Sequence, residues 1–312
     1  MRAVGVTDFG GPESLRIVEL AELHAGPGQM RIRVHAATVN PTDTFIWNGA
    51  RAAQLRVDPP PYVPGMDAAG VLDEIGAGVD TDLAVGDHVM AIVVPKGSHG
   101  AYAESLVVPA GSVARVPVGA SDVEASTLPM NGLTARLALD LLALRPGQTL
   151  AVTGAAGCCG GYAVQLAKAD GLRVIADASV ADEQLVRDLG ADVVVARGDD
   201  VAARIREAVP GGVDGLVDAA VMHTLALAAV RDGGGLAVVR AFEGETERDI
   251  VIHPVRVRDY AEEQAKLDRL RQQVETGEVT LRVARTFGPE QAAEAHRLLA
   301  AGGIRGRLVI EL

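Results

Sequence analysis

Through the first third of the chain, apolar residues come in short runs, partly alternating with polar ones and broken by glycine and proline. Met30–Thr38, Gly65–Gly76, His88–Val94 and Tyr102–Val108 read as strands, punctuated by Gly26-Pro27-Gly28, Pro59-Pro60-Pro61 and Gly86-Asp87. Short strands at this spacing, without regular helices between them, predict a mainly β domain. Near residue 122 the period changes. Asp122–Ala125 begins a helix with Ser121 or Asp122 as its cap, and Leu133–Leu144 is an amphipathic helix stopped by Pro146-Gly147. Strands Thr149–Thr153, Leu172–Ala176, Val193–Ala196, Val213–Val217 and Gly235–Arg240 then alternate with helices Gly160–Ala169, Ala181–Leu189, Val201–Val209 and Thr224–Val230. That alternation predicts a parallel sheet covered by helices on both faces. A charged helix over Asp259–Glu275, a short extended Arg285–Phe287, a helix over Pro289–Ala300 and a closing strand Arg307–Leu312 follow. Because the α/β pattern has already ended, this tail is expected to return to the first domain.

Composition narrows the function classes. Of 312 residues, 48% are apolar but only 3% aromatic, so valine, alanine and leucine must fill the core. The net charge of −12, without a basic stripe or tail, argues against a nucleic-acid partner. No apolar run is long enough for a membrane span. Met1–Gly10 lacks the charged-then-apolar pattern of a secretory signal. The only cysteines, Cys158 and Cys159, are adjacent, which gives neither a disulfide framework nor a thiolate metal site. A reducing cytoplasm is the compartment expected.

The most informative stretch is Leu150–Ser179, LAVTGAAGCCGGYAVQLAKADGLRVIADAS, which holds strand, glycine turn, helix and second strand in one unit. Gly154, Gly157 and Gly160 form a G-x-x-G-x-x-G turn. Small residues there let the backbone approach a pyrophosphate, and the helix N-terminus offers unpaired N–H groups and a positive dipole end. Asp177 ends the second strand, where a carboxylate accepts hydrogen bonds from an adenosine ribose. A glycine turn alone is weak evidence; strand, turn, helix, strand and acid in order are stronger.

Here the chain resembles the medium-chain dehydrogenase/reductase superfamily, and within it the zinc-free zeta-crystallin-like quinone oxidoreductases. The resemblance runs through Ala36–Asp43 (AATVNPTD), Val63–Gly76 (VPGMDAAGVLDEIG), Val85–Ala91 (VGDHVMA), Gly100–Glu104 (GAYAE) and Leu128–Asp140 (LPMNGLTARLALD). It continues in Val152–Lys168, Leu189–Asp192 (LGAD) and Gly302–Leu312 (GGIRGRLVIEL), and so covers nearly the whole chain. It implies a doubly wound Rossmann domain over residues 123–254. It also implies a β-rich GroES-like catalytic domain built from residues 1–122 and 255–312. Where zinc relatives carry a ligand cysteine this chain has Asn40, and where they carry a His-Glu pair it has Met66-Asp67. Lewis-acid activation of an alcohol is therefore not expected.

The resemblance implies an NAD(P)H-dependent reductase that delivers a hydride to a quinone or an α,β-unsaturated carbonyl without a metal. The alternatives are an enoyl reductase in a biosynthetic pathway and a non-catalytic cofactor-binding redox sensor. Asn40 matches a position facing nicotinamide and substrate, and is read as a donor to the acceptor's oxygen or as a turn residue before Pro41. Tyr62 is read either as a pocket wall or as a surface tyrosine, and Phe45 and Trp47 as apolar walls or core. Met130 and Thr134 match positions near nicotinamide and phosphates, although Thr134 has its own helix backbone as an alternative partner. Gly154, Ala156, Gly157, Cys158 and Cys159 form the phosphate turn. Ala219, following Asp218, and Val239 with Arg240 stand at carboxyl ends of strands, where such sheets bind ligands. The thiols at a helix N-terminus are either reactive or inert packing. Asp177 would repel a 2′-phosphate and favour NADH, whereas the family's habit is NADPH and Arg197 and Ser179 stand where that phosphate would be held. The reading leans to NADPH. Relatives often dimerise through an edge strand of the nucleotide sheet, here Gly235–Arg240 or a neighbour, so a homodimer is expected. No His/Asp/Ser arrangement has catalytic spacing, and the seven histidines are read as structural or solvated.

Overall fold

The structure, a computed structural model, describes residues 1–312. The chain divides into two compact units: residues 1–130, 258–275 and 281–312 form one, residues 131–257 and 276–280 the other.

The first unit opens with an antiparallel hairpin of β1 (Arg2–Gly5) and β2 (Arg16–Glu19). Strand β3 (Gln29–Thr38) leads through the one-turn helices α1 (Thr44–Trp47) and α2 (Ala52–Leu55) to β4 (Asp67–Ile75). Strands β5 (His88–Ile92), β6 (Ser105–Pro109) and β7 (Val113–Arg115) follow. Helix α3 (Asp122–Ala125) starts at Ser121, which accepts from the Glu124 N–H while Glu124 reaches back to the Ser121 N–H. Helix α4 (Pro129–Leu142) begins here and carries the chain into the second unit, which starts at Asn131. Residues 123–130, read from sequence as the start of the nucleotide domain, pack with the β-rich unit. Thr38 Oγ1 donates to the Ser126 carbonyl at 2.7 Å, and the Met130 N–H to Asp67 at 2.6 Å.

The second unit is a six-stranded sheet. Its strands are β8 (Thr149–Thr153), β9 (Arg173–Ala178), β10 (Val193–Ala196), β11 (Val213–Asp218), β12 (Val230–Val238) and β13 (Val251–Pro254). Helices α5 (Cys158–Ala169), α6 (Glu183–Asp188), α7 (Val201–Ala208) and α8 (Thr224–Leu227) connect them. The spatial order β10-β9-β8-β11-β12-β13 is wholly parallel and reverses direction between β8 and β11. This is the doubly wound order whose crevice at the reversal binds dinucleotides. Two sequence expectations need correction here. Thr224–Val230 is helical for only one turn, because Val230 enters the sheet opposite Val213 with no exposed surface. Of the two edge candidates, Gly235–Arg240 or a neighbour, Gly235–Arg240 is not the edge, since the neighbouring β13, a strand not expected from sequence, pairs outside it.

The tail returns to the first unit. Helix α9 (Gln264–Glu275), strand β14 (Val283–Phe287), helix α10 (Ala292–Ala301) and strand β15 (Arg307–Glu311) complete it, with β15 antiparallel to β3 through Val309↔Thr38. The first core gathers Met30, Ile32, Leu72, Tyr102, Leu106 and Leu308; the second gathers Ile175, Ile205, Leu216, Leu236 and Val238. Each such side chain contributes roughly 1.5–3 kcal/mol by leaving water.

Candidate active site

In the second unit, the turn after β8 is shaped for a ligand that approaches backbone. Gly154 has φ +70°, a left-handed conformation that glycine adopts freely. A Cβ on Gly160 would lie 2.3 Å from the Gly154 carbonyl oxygen, and one on Gly157 at 3.1 Å from the same atom. The turn therefore closes tightly onto the first residues of α5, the end at which the helix dipole is positive. Ala156 is buried, and Cys158 and Cys159 are half-buried and in no disulfide. These residues fit a pyrophosphate.

Across the sheet reversal, Ala219 lies so close that a Cβ on Gly154 would touch its carbonyl carbon at 3.1 Å. Its neighbour Asp218 organises this edge. Fully buried, it accepts from Thr153 Oγ1 at 2.7 Å and from the N–H groups of Met222 and His223 at 2.9 Å each. The bonds hold Val221 at φ 60° and His223 at φ 52°, costly conformations for side chains of these types. Val239 and Arg240 follow β12 directly and are half-buried. Thr134 is buried on α4.

At the tips of β9 and β10 the structure brings Asp177, Ser179 and Arg197 to neighbouring positions, because the Arg197 N–H donates to the Ala178 carbonyl at 2.9 Å. Asp177 is only 7% exposed and accepts from the Ala155 N–H at 3.1 Å. Burial pushes its carboxyl above the usual range, against the pull of the Ala155 and Gly154 N–H groups and the charge of Arg197. Sequence placed this carboxylate on a ribose; in the structure part of its hydrogen-bonding capacity secures the glycine turn. Ser179 Oγ donates to Asp182 at 2.5 Å, while Arg197 is exposed.

In the first unit, the turn between β3 and α1 carries a buried polar network. Asn40 has no exposed surface. Its Nδ2 donates to the Thr38 carbonyl at 3.1 Å and to Asp67 at 2.7 Å, and its Oδ1 accepts from the Arg307 guanidinium at 2.5 Å. Both amide hydrogens are thus used internally, which corrects the expectation that Asn40 offers one to a substrate oxygen. Asp67 also accepts from the Met130 N–H, and Met66 sulfur accepts from Thr42 Oγ1 at 3.2 Å, so the residues standing at the zinc-ligand positions are engaged within the protein. Burial raises the Asp67 carboxyl above its ordinary value, against the opposing charge of Arg307.

Asp43 anchors the same turn, accepting from the N–H groups of Asn40 (2.8 Å) and Gly65 (3.1 Å) and from the Tyr102 hydroxyl (3.0 Å). Burial pushes its carboxyl up to about 7. Tyr102 meets His296 Nε2 at 3.2 Å, and Trp47 Nε1 donates to His296 Nδ1 at 3.1 Å. Because an indole only donates, Nδ1 carries a lone pair, and neutral His296 must donate from Nε2 to the Tyr102 oxygen. Burial lowers His296 to about 4, which keeps it neutral. Tyr102, His296 and Arg307 belong to this buried network and were not singled out from the sequence, since each lies far along the chain from Asn40. Trp47, left open as wall or core, is part of this relay.

Tyr62 is a further correction. It is 4% exposed, its hydroxyl donates to the Asp58 carbonyl at 3.2 Å, and its ring stacks on Phe9 at 5.5 Å. It is neither a surface residue nor one with a hydroxyl free for catalysis, and it does not join the Asn40 network.

Comparison with known proteins agrees with this geometry. Residues 26–118 match the model of the alcohol dehydrogenase GroES-like domain, and residues 158–266 that described as zinc-binding dehydrogenase. The chain is 30% identical to a 2-haloacrylate reductase of Burkholderia sp over 324 aligned positions, 96% of each chain. Among solved structures it is similar to the quinone oxidoreductase of Coxiella burnetii, at 26% identity and TM-score 0.85 over 100% of this chain and 99% of that one. A mycobacterial protein solved in complex with NADPH matches over 100% of both chains, at 27% identity and TM-score 0.86. No helix is long and apolar enough to cross a membrane.

Proposed function

Since this chain belongs to the medium-chain dehydrogenase/reductase superfamily, as an NAD(P)H oxidoreductase of the zeta-crystallin-like quinone oxidoreductase type, we propose that it reduces quinones or α,β-unsaturated carbonyl compounds, with NADPH preferred. The observation that carries the reading is the glycine turn at the sheet reversal, where a single added Cβ on Gly160 would meet backbone at 2.3 Å. When bound, the nicotinamide supplies the hydride. The residues of the chain do the rest. Gly154, Ala156, Gly157 and the N-terminal end of α5 would hold the pyrophosphate. Asp218 sets the edge on which Ala219 stands, and Val239 and Arg240 lie at the next strand end. With both amide hydrogens of Asn40 committed to Thr38 and Asp67, this residue positions the Pro41–Asp43 turn rather than donating. An acceptor whose reduced oxygen takes its proton from water suits such a site, as a quinone does.

Arg197 supports NADPH: it is exposed at the strand tip, while Asp177 is withdrawn into the turn. Arg197→Ala should raise the KM for NADPH about tenfold and leave that for NADH nearly unchanged. The deciding experiment follows nicotinamide absorbance with 1,4-benzoquinone or 9,10-phenanthrenequinone, in parallel with NADPH and NADH. Turnover that is faster with NADPH supports the proposal, and faster turnover with NADH returns control of cofactor choice to Asp177. Cofactor binding without turnover would overturn the reductase reading for these acceptors.

One observation favours a narrower acceptor, an electron-poor alkene bearing a carboxylate. Arg51 lies over Phe45 at 4.8 Å; burial first, and then the charge of Arg258, lower its pKa, and neither guanidinium has an acidic partner. Two such cations suit an anion, and the relative aligned over nearly its whole length is named for reduction of 2-haloacrylate. Arg51→Ala should then weaken an unsaturated acid about tenfold and leave benzoquinone unaffected. We also propose a homodimer formed through β13, one of the two edge strands of the nucleotide sheet, where Val251 is 51% exposed. Val251→Lys should shift light-scattering mass from dimer to monomer.

A further inference from the structure

On the first unit, apart from the Asn40 network, two histidines share one carboxylate. His35 Nδ1 lies 2.7 Å from Asp122 Oδ2, and His88 Nδ1 lies 2.8 Å from Asp122 Oδ1. The three residues come from three elements. His35 is the extra residue of a β-bulge, since Val34 pairs with Gly70 and Ala36 with Ala69. A bulge re-aims the side chain it carries. His88 opens β5 opposite Val71, and Asp122 opens α3. One ligand-type atom from each falls within 4.8 Å of the others. Both histidines aim the same ring nitrogen, Nδ1, at this one carboxylate. The nearest sequence acid, Asp87, is already tied to Arg115 and the Ala84 N–H.

We propose that His35, His88 and Asp122 form a binding site for a divalent transition-metal ion such as Zn²⁺ or Co²⁺. Two imidazoles and one carboxylate are a recognised ligand set for these borderline ions, with the remaining positions left to water. Bond lengths of about 2.0–2.2 Å require donor atoms roughly 3.3 Å apart in a tetrahedral site. The present carboxylate–imidazole spacings, 2.7 to 3.0 Å, are about 0.3–0.6 Å shorter than this, and the whole set of donor atoms lies within 4.8 Å. The histidines can open them, because their side chains are 40% and 58% exposed and anchored on separate strands. Each Nδ1 presents its lone pair to the metal while Nε2 carries the ring proton, so a proton held on Nδ1 of a neutral ring moves through solvent to Nε2. Binding would tie β3, β5 and α3 together at the surface of the unit. It is independent of the proposed reduction, and its failure leaves that reading standing.

The test is equilibrium dialysis of the full chain against Co²⁺ and Zn²⁺, with Cys158→Ser and Cys159→Ser introduced so that thiolates do not compete. One ion per chain is expected, with a cobalt spectrum lacking thiolate charge transfer. His35→Gln with His88→Gln, and separately Asp122→Asn, should each weaken binding at least about tenfold. As a check that needs no variant, Zn²⁺ should slow carbethoxylation of His35 and His88 in the unmodified chain, read by mass spectrometry. Absence of stoichiometric binding, binding that survives the substitutions, or modification rates unchanged by zinc would each overturn the proposal.

Discussion

At the residue scale, the buried network of the first unit combines two groups pushed in opposite directions. Between pH 4 and 6.5 the unfolded chain carries a proton on His296 that the folded chain, with this group at about 4, does not. His296 therefore contributes stability that is present above 6.5 and lost as pH falls toward 4. Asp43 does the reverse: the folded chain keeps its proton up to about 7, the unfolded one loses it near 3.8. Its contribution is present below 3.8 and lost as pH rises through 7. In the shared window the two slopes offset each other. His296→Gln keeps one donor and one acceptor but removes the titration, so the wild type should gain roughly 1.4 kcal/mol per pH unit over the variant from pH 4 to 6.5. Urea unfolding at a series of pH values measures this; a pH-independent difference would contradict it. Arg307 presents a different case. Removing it as Arg307→Leu leaves Asp67 charged and buried, at a cost of roughly 3–5 kcal/mol. A shift in the urea midpoint small enough to suit a surface pair would show that Asp67 has neutralised instead. Asn40 and Asp43 stood in one legible motif. Tyr102 and Arg307, which bond them, and His296, which bonds Tyr102, did not, because hydrogen bonds that span 59, 267 and 194 residues leave no local pattern.

At the element scale, α5 shows packing overriding propensity. Alanine in place of a helical glycine ordinarily stabilises by about 1 kcal/mol. Gly160→Ala should do the opposite, because its Cβ would press on the Gly154 carbonyl, and calorimetry should show a lowered Tm with weakened NADPH binding. A raised Tm would mean that the turn relaxes freely. The same helix start carries Cys158 and Cys159. If bound pyrophosphate covers them, cofactor should slow alkylation of at least one thiol, and equal rates with and without NADPH would place both away from the ligand. Strands and helices flanking this turn were legible because short continuous apolar runs, buried on both faces, alternate with the 3.6-residue pattern of the helices. The short β13 was not: four residues, Val-Ile-His-Pro, carry too little alternation to announce a strand, and only pairing with β12 makes them one.

At the scale of the whole molecule, charge and chain return matter most. With net charge −12 and a pI of about 5.0, the protein should pass unretained through heparin near neutral pH and scatter light most strongly near its pI. Retention on heparin would reveal a basic surface that the summed charge hides. The return of the tail was legible only as an ending, since the α/β alternation stops before residue 255. That β15 pairs with β3, and so brings Arg307 to Asn40, is a matter of tertiary pairing.

The sequence by itself determined the two kinds of architecture, the dinucleotide turn and the lack of thiolate ligands at the expected metal positions. Each depends on residues close together in the chain or on residue types alone. Tertiary structure decided what those residues do. It spent the amide of Asn40 on Asp67 and Thr38, withdrew Asp177 into the turn, turned Tyr62 toward Asp58, and gathered two scattered histidines around Asp122. The physical reason is the same in each case: a polar group buried on folding must find its partner in space, and sequence distance does not say which partner that is.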